Sequence, residues 1–89
     1  MSSTDSDVIA SAAFEALRVV SDVEHITRSS ELVGDLGLDS LDVSAVLVEI
    51  EDRIGHEIPD DLLVVFSNIE ERPLLVDHLL RSLAAWEPR

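Results

Sequence analysis

Apolar residues in this chain recur at the spacing of a helix, and little else in it favours another fold. Ile9, Ala13, Ala16 and Val20 fall at i, i+4, i+7 and i+11, which is one face of a helix. Val76, Leu79, Leu80 and Leu83 form a second such stripe near the other end. Only three Gly and three Pro interrupt 89 residues. The expected fold is therefore all-α, a small antiparallel four-helix bundle with three longer helices and one short one. Its core must be aliphatic, because Phe14, Phe66 and Trp86 are the only aromatic residues. A length of 89 residues allows one domain, 1–89.

The helices are expected over about 5–20, 40–54, 60–66 and 73–84. Ser and Asp residues open the first, where they suit an N-cap and the positive end of the helix dipole. Residues 21–38 form a long connection, pinned by Ile26, Leu32, Val33 and Leu36. Asp39 as N-cap with Asp42 three residues on resembles a capping box, and Gly55 stands where a left-handed C-cap would close the second helix. Pro59-Asp60-Asp61 opens the third helix, and Pro73 suits the first position of the fourth. Glu70-Glu71-Arg72 reads as a solvated turn, and Trp86 as a partial cap on the bundle.

Charge excludes several functions. Nineteen Asp and Glu against six Lys and Arg give a formal net charge of −13. Nucleic-acid binding needs a basic patch, and an anionic membrane surface would repel this chain. Yet 46% of the residues are hydrophobic, so it is no acidic disordered tail. The longest stretch free of charged side chains after the acidic N-terminus is eight residues, 62–69, far short of a membrane span. An acidic start, no Cys and no span fit a cytoplasmic location, and a monomer is expected. No metal site is expected. His25, His56 and His78 share no ligand spacing, and a calcium loop begun at Asp35 would need Gly and Glu where Ser40 and Val46 stand.

The second helix has a face that does not belong to the core. At about 100° per residue, Val43, Leu47, Ile50 and Ile54 cluster within roughly 60°. Leu41 and Val48 point away from them, beside Asp42, Glu49 and Asp52. Scattered surface exposure is one reading. The other is a docking face, with carboxylates steering a basic partner and apolar spots adding contact.

Residues 35–42, Asp-Leu-Gly-Leu-Asp-Ser-Leu-Asp, are the most informative segment. They place Ser40 at the start of a helix, after a Gly-containing turn and between acids. The helix terminus there favours an anionic group attached to Ser40. Nothing near it in sequence could activate it as a nucleophile. Ser40 thus reads as a residue modified by another enzyme.

This segment resembles the D-L-G-x-D-S-L attachment motif of acyl carrier proteins. The likeness continues through Glu49-Ile50-Glu51-Asp52-Arg53-Ile54, similar to the acidic end of that family's second helix, and through Glu57-Ile58-Pro59-Asp60, similar to its I-P-D lead into the third. The resemblance implies an acyl-carrier-protein-like bundle with no catalytic residues. It implies a covalent 4′-phosphopantetheine on Ser40, framed by Asp39 and Leu41 and installed by a magnesium-using phosphopantetheinyl transferase. Asp39 would help position that enzyme's metal and coenzyme. Partner enzymes with basic patches would dock on Leu41, Asp42, Ala45, Val48, Glu49, Glu51 and Asp52, with Leu62 and Val65 of the third helix. They would include a ketosynthase, an acyltransferase, or an acyl or aminoacyl ligase.

Two departures narrow the reading. Ala45 stands where the family usually has a carboxylate, and Leu62-Leu63-Val64-Val65-Phe66 where it usually has charges. A short helix cannot bury five consecutive apolar side chains on one side. That run means extra core packing, a departure from helix, or an apolar patch for the arm or a partner. Both departures point to a dedicated carrier in polyketide or other specialised metabolism, ahead of the general fatty-acid carrier. Peptidyl carriers usually show G-G-[HD]-S, from which Gly37-Leu38-Asp39-Ser40 departs, though discrete aminoacyl carriers vary more. An acidic helical adaptor or nucleic-acid mimic would explain the charge, but neither motif.

Overall fold

A computed structural model describes residues 3–66 and 74–86, with the backbone alone for residues 3–7, Leu63 and Val65. It contains four helices: α1 (Ser3–Ser21), α2 (Ser40–Ile54), α3 (Asp60–Phe66) and α4 (Val76–Trp86). Among the described residues there is no strand, only an isolated antiparallel bridge between Glu31 and Leu75. The all-α bundle expected from the spacing is the fold observed.

One aliphatic core holds the helices together. Helix α1 packs on α2 and α4, and α3 packs on α2. Ile9, Ala12, Ala13, Ala16 and Leu17 of α1 are buried against Val43, Val46, Leu47 and Ile50 of α2. Val76, Leu79, Leu80 and Leu83 of α4 join them. The alanines of α1 let the neighbouring helices approach closely, and Trp86 rests half-buried on the edge of the core. Helix α1 closes on Ser21, whose hydroxyl donates to the Leu17 carbonyl at 2.6 Å and accepts the Val23 N–H at 3.2 Å. Asp22 follows in the left-handed conformation, φ 60°.

The long connection is tied to the start of α4. Leu32 N–H donates to the Leu74 carbonyl, Val76 N–H to Ser30, and Asp77 N–H to Arg28, each at 2.9 Å. Arg28 Nε also donates to Asp77 Oδ1 at 2.7 Å, while Arg81 Nε meets Oδ2 at 2.9 Å. These bonds explain why α4 starts at Val76 and not at Pro73. Leu74 and Leu75 run alongside 30–32 ahead of the helix, with Leu75 bridging Glu31, and a helix begun at Pro73 would consume those groups. Pro73 itself and the Glu70-Glu71-Arg72 turn lie outside the described residues. His78 caps the delayed start, its Nδ1 accepting the Leu75 N–H at 2.8 Å. It takes the position that Glu or Gln holds in a capping box.

The 62–66 run is helical. Phe66 is 1% exposed, Leu62 is half-buried against the core and Val64 is exposed. The Val65 side chain, expected in the docking set, lies outside the described residues. Of the residues expected to pin the connection, Ile26, Leu32 and Leu36 are buried. Val33 is 38% exposed, because the turns at 32–36 swing it outward, and Leu38 is buried in its place.

Candidate functional site

The site is built by the segment that leads into α2. Leu36 and Leu38 are both buried, so the chain is anchored on either side of Gly37. Gly37 adopts φ 68°, a left-handed conformation that a side chain disfavours. Its N–H donates to the Val33 carbonyl and that of Leu38 to Leu32, each at 2.9 Å. Asp35 closes the preceding turn, Oδ2 accepting the Glu31 N–H at 2.7 Å. The two leucines face the core, and the glycine reverses the chain. The next residues, Asp39 and Ser40, are thereby held at the surface.

Asp39 is the N-cap of α2, in extended conformation. Its Oδ1 accepts the Asp42 N–H at 2.8 Å, and Asp42 Oδ2 accepts the Asp39 N–H at 3.2 Å. This is the reciprocal capping box read from the sequence, with Asp at both ends. Ser40 is the first helical residue and is half-buried. Its hydroxyl has no hydrogen-bond partner among the described residues. Its carbonyl accepts the Ser44 hydroxyl at 3.1 Å. The capping box satisfies the amide of Asp42, and the Val43 amide donates to the Asp39 carbonyl at 3.0 Å. The amides of Ser40 and Leu41 lie in the first turn, where a helix has no internal acceptor for them. An anion bonded to the Ser40 oxygen would sit beside these donors and the positive end of the helix dipole.

The remaining expected residues divide by face. Leu41 is 79% exposed and Val48 53% exposed, and Ala45 lies exposed between them. Asp52 is exposed further along the helix. Glu49 is half-buried and paired with Arg53, Oε2 to Nε at 3.3 Å. Glu51 turns to the other flank, where its Oε2 accepts the Ile58 N–H at 2.7 Å. That bond fastens the turn between α2 and α3 after Gly55, which caps α2 at φ 73°. Leu62 belongs partly to the core. Sequence reasoning found Gly37 but missed the part played by Leu38. The available signal was the pair of leucines flanking the glycine.

A helical bundle that presents a serine at the first turn of a helix, over open amides and beside a cap of carboxylates, is suited to hold an anionic group covalently. The chain matches the family described as the phosphopantetheine attachment site over residues 7–71, and it belongs to that family. It is thus a carrier protein of the acyl-carrier type, and its cofactor is covalent 4′-phosphopantetheine. Carriers of this family are in general non-catalytic and work with phosphopantetheinyl transferases and pathway enzymes. No solved structure matches the chain. Among the described residues, no helix is long and apolar enough to cross a membrane.

Proposed function

We propose that Ser40 is the residue that receives phosphopantetheine, and that this single-domain chain carries acyl intermediates for a specialised, polyketide-type pathway in the cytoplasm. The observation that carries the proposal is the presentation of Ser40. The buried pair Leu36 and Leu38 and the left-handed Gly37 hold it at the start of α2. The bound group supplies a thiol at the end of a flexible arm, which answers the absence of Cys in the chain. In loading, the Ser40 oxygen bonds to the pantetheine-side phosphorus of coenzyme A. The bond to 3′,5′-ADP breaks, and the hydroxyl proton passes to the transferase. The open amides of Ser40 and Leu41 then face the new phosphodiester. Asp39 holds the helix start and, in this reading, faces the transferase's metal. The exposed side of α2 docks the enzymes that load and unload the arm. Ala45 and the apolar α3 run support a dedicated carrier over a general fatty-acid one.

Intact mass after incubation with coenzyme A and a promiscuous phosphopantetheinyl transferase tests this directly. The wild-type chain gains one phosphopantetheine, about 340 Da by its formula, and Ser40→Ala gains nothing. An unchanged wild-type mass would sink the proposal. A modified Ser40→Ala would move the attachment to another residue.

A further inference from the structure

The start of α4 takes its hydrogen-bond acceptors from the connection between α1 and α2. A helix leaves its first amides without internal partners. In α4 the Val76 N–H donates to the Ser30 carbonyl and the Asp77 N–H to the Arg28 carbonyl, each at 2.9 Å. Arg28 returns a bond, its Nε donating to Asp77 Oδ1 at 2.7 Å. Arg28 and Asp77 are thus joined twice across 49 positions of sequence, once through the backbone and once through side chains. Arg81 holds the other carboxylate oxygen, Nε to Oδ2 at 2.9 Å, and so steadies Asp77 from within α4.

The same connection supplies the acceptors for the turn before Ser40. Leu32 bonds in both directions. Its N–H donates to the Leu74 carbonyl, and its carbonyl accepts the Leu38 N–H, each at 2.9 Å. The Glu31 carbonyl accepts the N–H groups of Asp35 and Leu36, both at 3.1 Å. Leu32 and Leu38 are buried, so neither can shift without disturbing the core. A continuous series of bonds therefore runs from Arg28 and Asp77 through Leu74, Leu32 and Leu38 to the residues that present Ser40.

The geometry points to Arg28 and Asp77 as positioning residues for the loading of Ser40. Their double link sets where α4 begins against the connection, and Leu32 passes that register to the turn at Gly37. This deepens the proposed function and rests on Ser40 being the attachment residue. An ion pair in which Arg28 is 55% exposed adds little to stability, so its effect lies in placement. Attack on coenzyme A needs the Ser40 oxygen in line with the breaking bond to phosphorus, and small displacements of a reacting atom slow a reaction steeply. The exposed side of α2 is untouched by changes at this link. The loss therefore falls on kcat and leaves KM alone.

Hydrogen exchange and loading kinetics, read on the full chain, test the inference. Spatial continuity alone does not prove coupling, so the exchange of individual amides is the direct readout. Arg28→Ala and Asp77→Asn should speed exchange of the Leu32, Leu38 and Val76 amides by about twofold to fivefold, with those of Val46 and Leu47 in α2 as in wild type. Loading by a phosphopantetheinyl transferase should lose about twofold to fivefold in kcat at unchanged KM. Arg28→Lys, which keeps one cationic donor, should recover most of both. The control is Glu15→Gln, which removes an exposed ion pair with Arg18 on α1 and should change neither. Unaltered Leu38 exchange in Arg28→Ala would overturn the inference. So would a loading loss carried by KM or shared by Glu15→Gln, or an Arg28→Lys no better than Arg28→Ala. In each of these cases wild type still loads and the carrier reading stands. A wild-type chain that takes up no phosphopantetheine overturns the carrier reading, and the positioning role falls with it.

Discussion

Asp39 is the residue at which stability and loading separate most cleanly. Its carboxylate accepts the Asp42 N–H at 2.8 Å, and it stands at the positive end of the α2 dipole. Replacing an N-cap Asp by Ala costs about 1 kcal/mol, and losing an anion from a helix start costs about 0.3–1 kcal/mol more. The reciprocal bond, from the Asp39 N–H to Asp42, uses the backbone and survives the substitution. Asp39→Ala should therefore cost about 1–2 kcal/mol, and Asp39→Asn, which keeps an acceptor but not the charge, about 0.3–1 kcal/mol. For a chain of this size each kcal/mol moves Tm by about 4–8 °C. Thermal unfolding followed by circular dichroism should show a fall of about 4–16 °C for Ala and about 1–8 °C for Asn. Loading by the transferase adds a second readout. On the proposed function, which sets the Asp39 charge facing the transferase's metal, Asp39→Asn, still folded, should load markedly more slowly. Equal losses of Tm in the two variants would refute the hydrogen-bond account of the cap. Wild-type loading by Asp39→Asn would confine Asp39 to a structural role.

Other expectations concern the elements that position the site. Phe66→Ala should cost about 3–5 kcal/mol, because seven-residue α3 is too short to persist without its buried anchor. A Tm loss below about 5 °C would show that α3 is held by something else. His78→Ala removes the acceptor for the Leu75 N–H and should cost about 1 kcal/mol, while His78→Gln should recover much of it. Equal destabilisation by both in urea unfolding would discount the cap. Asp77 gives a pH dependence. The Arg28 hydrogen bond, helped by the charges of Arg81 and Arg28, holds its carboxyl below the usual aspartate value. Its contribution is therefore complete above the unfolded-state pKa and is lost as pH falls through the lower folded value. In acid titrations, wild type should lose its advantage over Asp77→Asn across that window; a gap unchanged into strong acid would contradict the pairing.

Local chemistry made much of this protein legible in its sequence. The D-L-G-L-D-S-L-D segment encodes a turn, a cap and a helix start within eight residues, and each part is formed by near neighbours. Gly37 and Gly55 both take the left-handed conformation their positions require. Contacts across the fold were hidden. The wheel for α2 left out Val46, which is fully buried because α1 and α3 pack on α2 and widen its buried arc beyond a single stripe. The start of α4 moved because residues 74–76 pair with 30–32, more than forty positions away in the chain. Glu51, counted for docking, is drawn to the Ile58 N–H by a turn whose geometry only the fold supplies.

The net charge of −13 first served to exclude partners, but the carboxylates do two kinds of work. Asp35, Asp39, Asp42 and Glu51 each accept a backbone N–H, and all four lie between the turn before Ser40 and the turn after α2. A small chain with few glycines has few other ways to satisfy donors at tight turns. These acids are folding devices, and their substitution should disturb Ser40 by loosening the backbone that presents it. Asp52 is different, since no internal bond depends on it. Two acids ten residues apart on one helix, Asp42 and Asp52, should therefore differ in what charge removal does to stability. Asp42→Ala should lower stability and slow loading together, because the Asp39 N–H loses its acceptor and one of the two bonds of the capping box goes. Asp52→Ala should slow loading at low salt while relieving some self-repulsion. Measured side by side, they separate the charge that builds the site from the charge a partner reads.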